Sequence, residues 1–154
     1  MKKTDYVSKG HSIVTPVLYF DNLVSAIKWY KRVFRAKRRM KFNNADNVTI
    51  HAEIQIGDSL IMMSKAVHEY NENPRQPDIN AVALCLYVRD VDSAIENAVD
   101  HDAKLVSPAR DMFYGDRSGR ILDPFCYTWI ISTHLRDVSK KEMREALADQ
   151  ANHT

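Results

Sequence analysis

The sequence predicts an α+β fold in which two tandem βαβββ modules form a cupped mixed β-sheet with helices on the outside, followed by a C-terminal helix. The first observation behind this is an internal repeat at a spacing of 68 residues, in which Leu18 recurs as Leu86 and Ser64 as Ser132. The second is that apolar spacing in both halves follows the order strand, helix, strands. Duplicated units usually meet around a shared groove, and such a groove is where a ligand binds.

The first module, predicted at about residues 12–64, begins with an apolar, β-branched strand that contains Pro16. Asp21 or Asn22 can cap the helix that follows, in which apolar residues recur with helical period. The pair at 57–58, Gly-Asp, is typical of a tight hairpin between the last two strands. The predicted strands are 12–20, 37–43, 48–56 and 59–64, and the predicted helix is 23–36.

The second module is predicted at about residues 81–134, after a Pro- and Asn-containing linker over 65–80. Asp90 is placed to cap its helix, and Asp123-Pro124 predicts the last turn. A loop is predicted at 108–116. The predicted strands are 81–88, 104–107, 117–122 and 126–134.

The C-terminal tail, residues 138–151, has no counterpart in the first half of the chain. Ser139 and Glu142 stand at the capping-box spacing, which predicts a surface helix from Lys140 that frays at Ala151. We therefore expect one domain over residues 1–154, made of two modules and a helical tail.

Composition places the chain among ordinary globular proteins. A length of 154 residues suits one domain, and the net charge of +2 does not call for an acidic partner. The longest apolar run, 81–88, is too short to cross a bilayer, and no signal peptide is recognisable. The two cysteines, Cys85 and Cys126, are interpreted as reduced thiols. We expect a cytoplasmic protein with no membrane partner.

A basic cluster lies between Lys28 and Lys41, where eight Lys and Arg residues occur without an acidic one. Such a run can form a nucleic-acid surface, but it is more typical of a solvated outer helix face. We therefore expect no nucleic-acid partner.

Several short segments carry a family resemblance over roughly residues 12–135. They are Thr15-Pro16, Ala26-Ile27, His51-Ala52-Glu53, Ile56-Gly57-Asp58-Ser59, the run from Asp111 to Arg117, Gly119, Asp123-Pro124-Phe125, Trp129 and Thr133-His134. With two βαβββ modules, they resemble the vicinal-oxygen-chelate superfamily of glyoxalases, bleomycin-resistance proteins and dioxygenases, and locally its PhnB-like branch. That family usually has glycine where this chain has Cys126, which predicts either a rearranged turn or a strained residue.

The resemblance also locates the positions that hold a metal in the metal-dependent members, on the first and last strands of each module. Those positions correspond here to Thr15, Met62, Ala83 and Ile130, a register that the 68-residue repeat supports. A hydroxyl, a thioether and two aliphatic side chains are not strong ligands for a divalent ion. We therefore expect no metal and no other cofactor, and an enzymatic activity is open but not favoured.

Histidines elsewhere offer a weaker metal hypothesis. His51 and Glu53 share one face of a predicted strand at i, i+2, close enough to chelate, but we interpret them as a solvated polar face. His134, at the end of the last strand, is interpreted as capped or facing solvent, and His11 lies near the other end of the chain.

Strand alternation assigns the residues that line the groove. This face is expected to be apolar with scattered hydroxyls, and to carry no carboxylate or histidine. Tyr19 and Tyr87 stand 68 residues apart and suit stacking on a flat ligand. The expected ligand-binding residues of the groove are Thr15, Val17, Tyr19, Met62, Ala83, Tyr87 and Ile130.

The loop that contains Phe113, Tyr114 and Arg117 is the best candidate for polar recognition. The aromatic rings could clamp a ligand while Arg117 pairs with an anionic group. The alternative is a structural Asp116–Arg117 hairpin with the rings tucked in, and the sequence does not decide between the two.

Three functions are compatible with these patterns. The first is a metal-free, homodimeric protein that binds an apolar or aromatic small molecule in the groove. The second is a glyoxalase- or dioxygenase-like metal-dependent lyase or oxidoreductase. The third is a protein-interaction module whose groove is plugged by side chains. The apolar groove favours the first, and the resemblance implies the homodimer.

Overall fold

The computed structural model describes residues 6–67 and 82–151. Backbone contacts divide the chain into unit 1, residues 1–75, and unit 2, residues 76–154. Each unit is a βαβββ module with its own four-stranded mixed sheet, and unit 2 adds a C-terminal helix. The predicted fold class is thereby confirmed.

The elements of unit 1 are β1 (Val17–Phe20), α1 (Leu23–Val33), β2 (Lys37–Asn43), β3 (Thr49–Ile56) and β4 (Ser59–Lys65). The strand order is β1-β4-β3-β2, with β1 parallel to β4 and the other pairs antiparallel. Because α1 packs on one face, alternate strand residues such as Phe20, Ile54 and Met63 are fully buried. Each such side chain contributes about 1.5–3 kcal/mol of stability.

The elements of unit 2 are β5 (Ala83–Tyr87), α2 (Val91–Val99), β6 (Lys104–Asp111), β7 (Asp116–Leu122), β8 (Thr128–His134) and α3 (Lys140–Ala151). The order β5-β8-β7-β6 repeats that of unit 1, again with one parallel pair, β5 with β8. Ile95 of α2 packs toward β7, and Ile121 and Ile131 are fully buried.

Capping residues fix where the helices begin. Asn22, rather than Asp21, caps α1 by accepting a hydrogen bond from the Ser25 amide (3.1 Å), and Asp90 caps α2 in the same way. The predicted capping box of α3 is present, with reciprocal bonds between Ser139 and Glu142 at 2.8 and 3.2 Å.

Two boundaries in unit 1 differ from the prediction. β1 begins at Val17 instead of residue 12, because the Thr15 hydroxyl turns back to donate to the Ser12 carbonyl oxygen (2.9 Å). α1 ends at Val33 instead of residue 36, because Arg35 has a left-handed φ of 55° that does not continue the helix.

In unit 2, strand β6 continues to Asp111, into the first part of the segment predicted as a loop over 108–116. Pro108 is tolerated because β6 is an edge strand and its register to β7 shifts between Ser107 and Arg110. Cys126 keeps a left-handed φ of 67°, so the strained residue is the alternative that is observed.

Most of the predicted linker over 65–80, like the start of the predicted strand at 81, lies outside the described residues. In the part of the chain that the structure describes, no helix is both long enough and apolar enough to span a membrane.

Candidate functional site

The sheet of unit 2 has one face covered by α2 and a second face, here called the open face, that the helix does not cover. Gly119 lies on the covered face, because a β-carbon there would come within 2.5 Å of Ile95 Cδ1. Its neighbours Ser118 and Arg120 therefore point to the open face. They lie opposite Ser132 and Ile130 of β8 in the antiparallel register, which brings all four side chains to that face.

A cavity of about 390 Å³ is formed along the open face by β6, β7, β8 and the turn after β6. Arg110 and Arg120 supply its charge, and Ser118 adds a hydroxyl. Met112, Tyr114 and Ile130 provide apolar and aromatic surface, and no Asp or Glu is among the described residues that line the cavity. The cavity therefore combines two cations with an apolar wall.

A chain of hydrogen bonds crosses the open face beside this cavity. The Asp116 carboxylate, 5% exposed, accepts from the Tyr87 hydroxyl (2.8 Å) and pairs with His134 Nδ1 (2.7 Å). His134 Nε2 lies 3.0 Å from Asp137. The bond to Asp116 raises the pKa of the Tyr87 phenol, and the bonds to Asp116 and then Asp137 raise the pKa of His134.

A second polar group lies on β5, β7 and β8. The Ser118 and Ser132 hydroxyls form a buried hydrogen bond of 2.7 Å, and Cys85 Sγ lies 3.9 Å from Ser132 Oγ. Among the described residues, no histidine or carboxylate bonds the Ser118 hydroxyl, the Ser132 hydroxyl or the Cys85 thiol, so the geometry of this group does not indicate an activated nucleophile.

Arg117, which the sequence offered as an anion-binding residue, points to the covered face. Its guanidinium bonds Asp92 of α2 at 2.7 and 2.9 Å and Asp111 of β6 at 2.9 Å. These two carboxylates hold the pKa of Arg117 above its usual range. Of the two alternatives for this loop, the geometry favours the structural role, because the donors of Arg117 are already occupied.

The open face of unit 1 corrects the expectation that the groove carries no carboxylate or histidine. Glu53 lies opposite Met62, and His51 lies opposite Ser64, so both share the face that was assigned to the ligand. The earlier interpretation as a solvated polar face was wrong for Glu53, which is 8% exposed. The expectation failed because it followed only the first and last strands of each module and not β3.

Glu53 is the centre of a small cluster in unit 1. His11 Nε2 lies 3.1 Å from its Oε1, and His51 Nε2 lies 3.9 Å from the same oxygen. His51 Nδ1 also contacts Ser64 Oγ at 3.3 Å, while His11 Nδ1 is buried with no hydrogen-bond partner among the described residues. The cluster ties the segment before β1 to the sheet.

The other predicted site residues fall in both units. In unit 1, Val17 and Tyr19 lie beside Met62 and Ser64 in the parallel pairing of β1 with β4, and Thr15 precedes them. In unit 2, Ala83 and Tyr87 lie on β5, Ile130 and Tyr114 line the cavity, and Phe113 packs edge-to-face on Tyr114 with ring centroids 5.2 Å apart. Val17 and Tyr87 are exposed.

A metal centre of the type that the resemblance implies does not fit these residues. Met62 and Ile130 occupy two of the four expected positions, and neither they nor Thr15 and Ala83 bring a strong ligand. Within residues 6–67 and 82–149, no three His, Cys, Asp or Glu side chains are grouped as metal ligands would be. The absence of a metal stays a prediction, and no reaction step is derived through one.

Sequence reasoning missed Arg110 and Arg120. Alternation along β7 from Ser118 would have placed Arg120 on the open face. Nothing in the sequence indicates the register shift in β6 that sets Arg110 opposite Ser118.

Comparison with known proteins agrees with this architecture. An uncharacterized protein of Mycobacterium bovis is 28% identical over 143 residues, which cover 90% of this chain and 94% of that protein. The crystal structure of TioX from Micromonospora sp. ML1 is 21% identical with a TM-score of 0.61, covering 79% of this chain and 99% of that one. A PhnB protein from Bacillus cereus is 16% identical with a TM-score of 0.62 and the same coverage.

These structural likenesses show the fold alone, whereas a match to a family model shows similarity of sequence. The model of the Glyoxalase/Bleomycin resistance protein/Dioxygenase superfamily matches residues 12–131, well over half of the 154 residues. The chain therefore belongs to that superfamily.

Proposed function

We propose that this chain is a small-molecule-binding protein that holds an apolar or aromatic ligand against the open face of unit 2, without a metal ion or other cofactor. One observation carries the proposal: a cavity of about 390 Å³ with Met112, Tyr114 and Ile130 in its wall. A cavity of this size suits a compact organic molecule. An interaction module with a plugged groove would leave no such space.

A metal-dependent lyase or oxidoreductase is the less favoured alternative. The four positions that would hold the metal carry no strong ligand, and the fold by itself hosts unrelated chemistries. Metal analysis of the purified protein, with add-back of zinc, nickel, manganese and iron(II), separates the two. A stoichiometric metal, or a large rise in melting temperature with one ion, would overturn the metal-free proposal.

Ligand binding is tested by a thermal-shift screen of small aromatic compounds, followed by NMR titration of the hits. The variant Ile130→Trp fills the cavity, and Val24→Trp on the exposed side of α1 is the matched control. We expect a hit to raise the melting temperature of the wild type and of Val24→Trp but not of Ile130→Trp. A hit that stabilises all three proteins equally would contradict binding in this cavity.

Homodimerisation and a cytoplasmic location complete the proposal. The family resemblance supports the dimer, and the two cysteines, which form no disulfide with each other, support a reducing compartment. Sedimentation velocity over a range of concentrations tests the dimer. A single species of 17.7 kDa throughout that range would contradict it.

A further inference from the structure

Two arginines on the open face of unit 2 are placed to act on one ligand group. Arg110 lies opposite Ser118 in the β6–β7 register, and Arg120 follows Ser118 by two residues on the same face. Diagonal neighbours on one face of a sheet are within reach of each other's long side chains. Both arginines line the same cavity of about 390 Å³.

In the described parts of the chain, no carboxylate neutralises either guanidinium. Among the described residues, no ion pair or hydrogen bond engages Arg110 or Arg120, whereas Arg117 on the opposite face is held by two carboxylates. The Asp116 carboxylate, which lies on the same face, bonds Tyr87 and His134 instead. The cavity therefore presents two uncompensated cations beside low-dielectric walls, which focus a positive potential.

The rest of the cavity wall is largely apolar, which limits the kind of ligand that can lie beside the two arginines. Met112, Tyr114 and Ile130 offer aliphatic, thioether and aromatic surface, and Tyr114 is backed by Phe113. Such a wall gains free energy by covering apolar surface and rejects a heavily hydrated molecule. Ser107 and Ser118 are the other polar side chains among the described residues that line the cavity, and the Ser118 hydroxyl bonds Ser132.

We infer that the ligand is an organic oxyanion, with a carboxylate or phosphate group held by Arg110 and Arg120 and a flat or aliphatic body against Tyr114 and Ile130. Guanidinium groups bind both oxyanions through paired, charge-assisted hydrogen bonds. This inference rests on the proposed function, since it names the class of ligand for the same cavity.

Calorimetric titration with matched probes tests the inference. The probes are 2-naphthoate, its uncharged counterpart 2-naphthamide, 2-naphthyl phosphate and inorganic phosphate. We expect 2-naphthoate or 2-naphthyl phosphate to bind about tenfold more tightly than 2-naphthamide, because a hydrogen bond to a charged group adds that much affinity. The stronger of the two identifies the oxyanion, and inorganic phosphate alone should bind weakly.

Variants assign the effect to the two arginines. Arg110→Gln and Arg120→Gln should each weaken the anionic probe about tenfold and leave 2-naphthamide unchanged. Arg110→Lys should retain part of the affinity, because it keeps the charge without the planar fork. Arg32→Gln, on the exposed side of α1, removes the same charge at a distance and should have no effect. Melting curves check that every variant is folded.

The outcomes separate the inference from the proposed function. If 2-naphthamide binds as tightly as the anions, or the Gln variants bind the anions like the wild type, the inference is overturned while ligand binding in the cavity stands. If no naphthalene probe binds, both fail. Weaker binding of the anions to Arg32→Gln, equal to the loss at Arg110→Gln, would reduce the effect to net charge and also overturn the inference.

Discussion

The two units have the same topology, and each buries one face of its sheet under its own helix. They differ on the face that the helix leaves open. Met62 and Ile130 stand 68 residues apart and occupy the same place in the two sheets. The residue paired with Met62 is Glu53, and the residue paired with Ile130 is Arg120. A carboxylate and a guanidinium thus occupy corresponding positions.

The partners of these two groups differ as much as their charges. Glu53 is buried and lies between two histidines, so unit 1 uses it to hold its own structure together. Arg120 is exposed and has no partner among the described residues, so it is available to a ligand. The comparison teaches that the buried pattern specifies the fold in both units, while each open face is free to take a different role.

The largest expected effect concerns the turns that join the last two strands of each unit. In unit 2, the buried Asp123 carboxylate accepts from the amides of Phe125 and Tyr127 and from Trp129 Nε1, each at 2.9 Å. We expect Asp123→Ala to lower the free energy of unfolding by about 3–5 kcal/mol, because bonds to a charged group are lost and buried donors stay unpaired. Urea denaturation measures this loss.

The matching turn of unit 1 provides the control. Asp58 is exposed, and the described contact of its carboxylate is one bond from the Ser59 hydroxyl (3.1 Å). Asp58→Ala should change stability by less than about 0.5 kcal/mol. Equal losses at the two positions would contradict the view that Asp123 organises its turn.

The next effect tests the paired positions themselves. Glu53→Ala removes the partner of His11 and His51 in a nearly closed environment, so it should cost about 1–3 kcal/mol. Arg120→Ala should leave stability within about 0.5 kcal/mol of the wild type, because the exposed side chain makes no hydrogen bond or ion pair with the described residues. Thermal and urea unfolding of both variants give the comparison, and a larger loss at Arg120 would show that its guanidinium serves the fold.

A smaller effect is expected from residues in the left-handed conformation. Cys126 in unit 2 and Gly57 in unit 1 have φ values of 67° and 60° in their respective turns. Because a β-carbon is disfavoured there by about 1 kcal/mol, Cys126→Gly should stabilise by up to that amount and Gly57→Ala should destabilise by a similar one. An added β-carbon at Gly57 meets no atom within 4 Å, so its cost is conformational. Destabilisation by Cys126→Gly would mean that packing of the thiol outweighs the strain.

How far the sequence predicts the structure follows the same division. The buried faces are strongly patterned, so alternation placed Leu18, Ile61 and Trp129 under the helices, and all three are buried. The open faces carry mixed polar residues whose partners come from distant segments. The contact of His11 with Glu53 spans 42 residues, and the position of Arg110 depends on a register shift in β6. Local periodicity therefore predicts neither of them.

The smallest expected effect is a pH dependence of the stability that His134 gives to unit 2. Asp116 and Asp137 raise the pKa of His134 in the folded protein, while the Tyr87 hydroxyl shares the Asp116 carboxylate. A raised folded pKa means that the charged pair stabilises the fold below the unfolded pKa of about 6.5 and loses this contribution as pH rises through the folded value. We therefore expect the melting temperature of the wild type to exceed that of His134→Gln more at pH 6 than at pH 9.

The control for this pH effect is Asp137→Asn, which removes the outer carboxylate but keeps the bond to Asp116. In this variant, the stabilisation that His134 adds at pH 6 relative to pH 9 should be smaller than in the wild type but not abolished. The bond to Asp116 is the larger cause of the raised pKa of His134. If the melting temperature of His134→Gln changes between pH 6 and pH 9 as much as that of the wild type, the pH dependence arises from another group. Loss of the whole difference in Asp137→Asn would move the dominant interaction from the buried carboxylate to the exposed one.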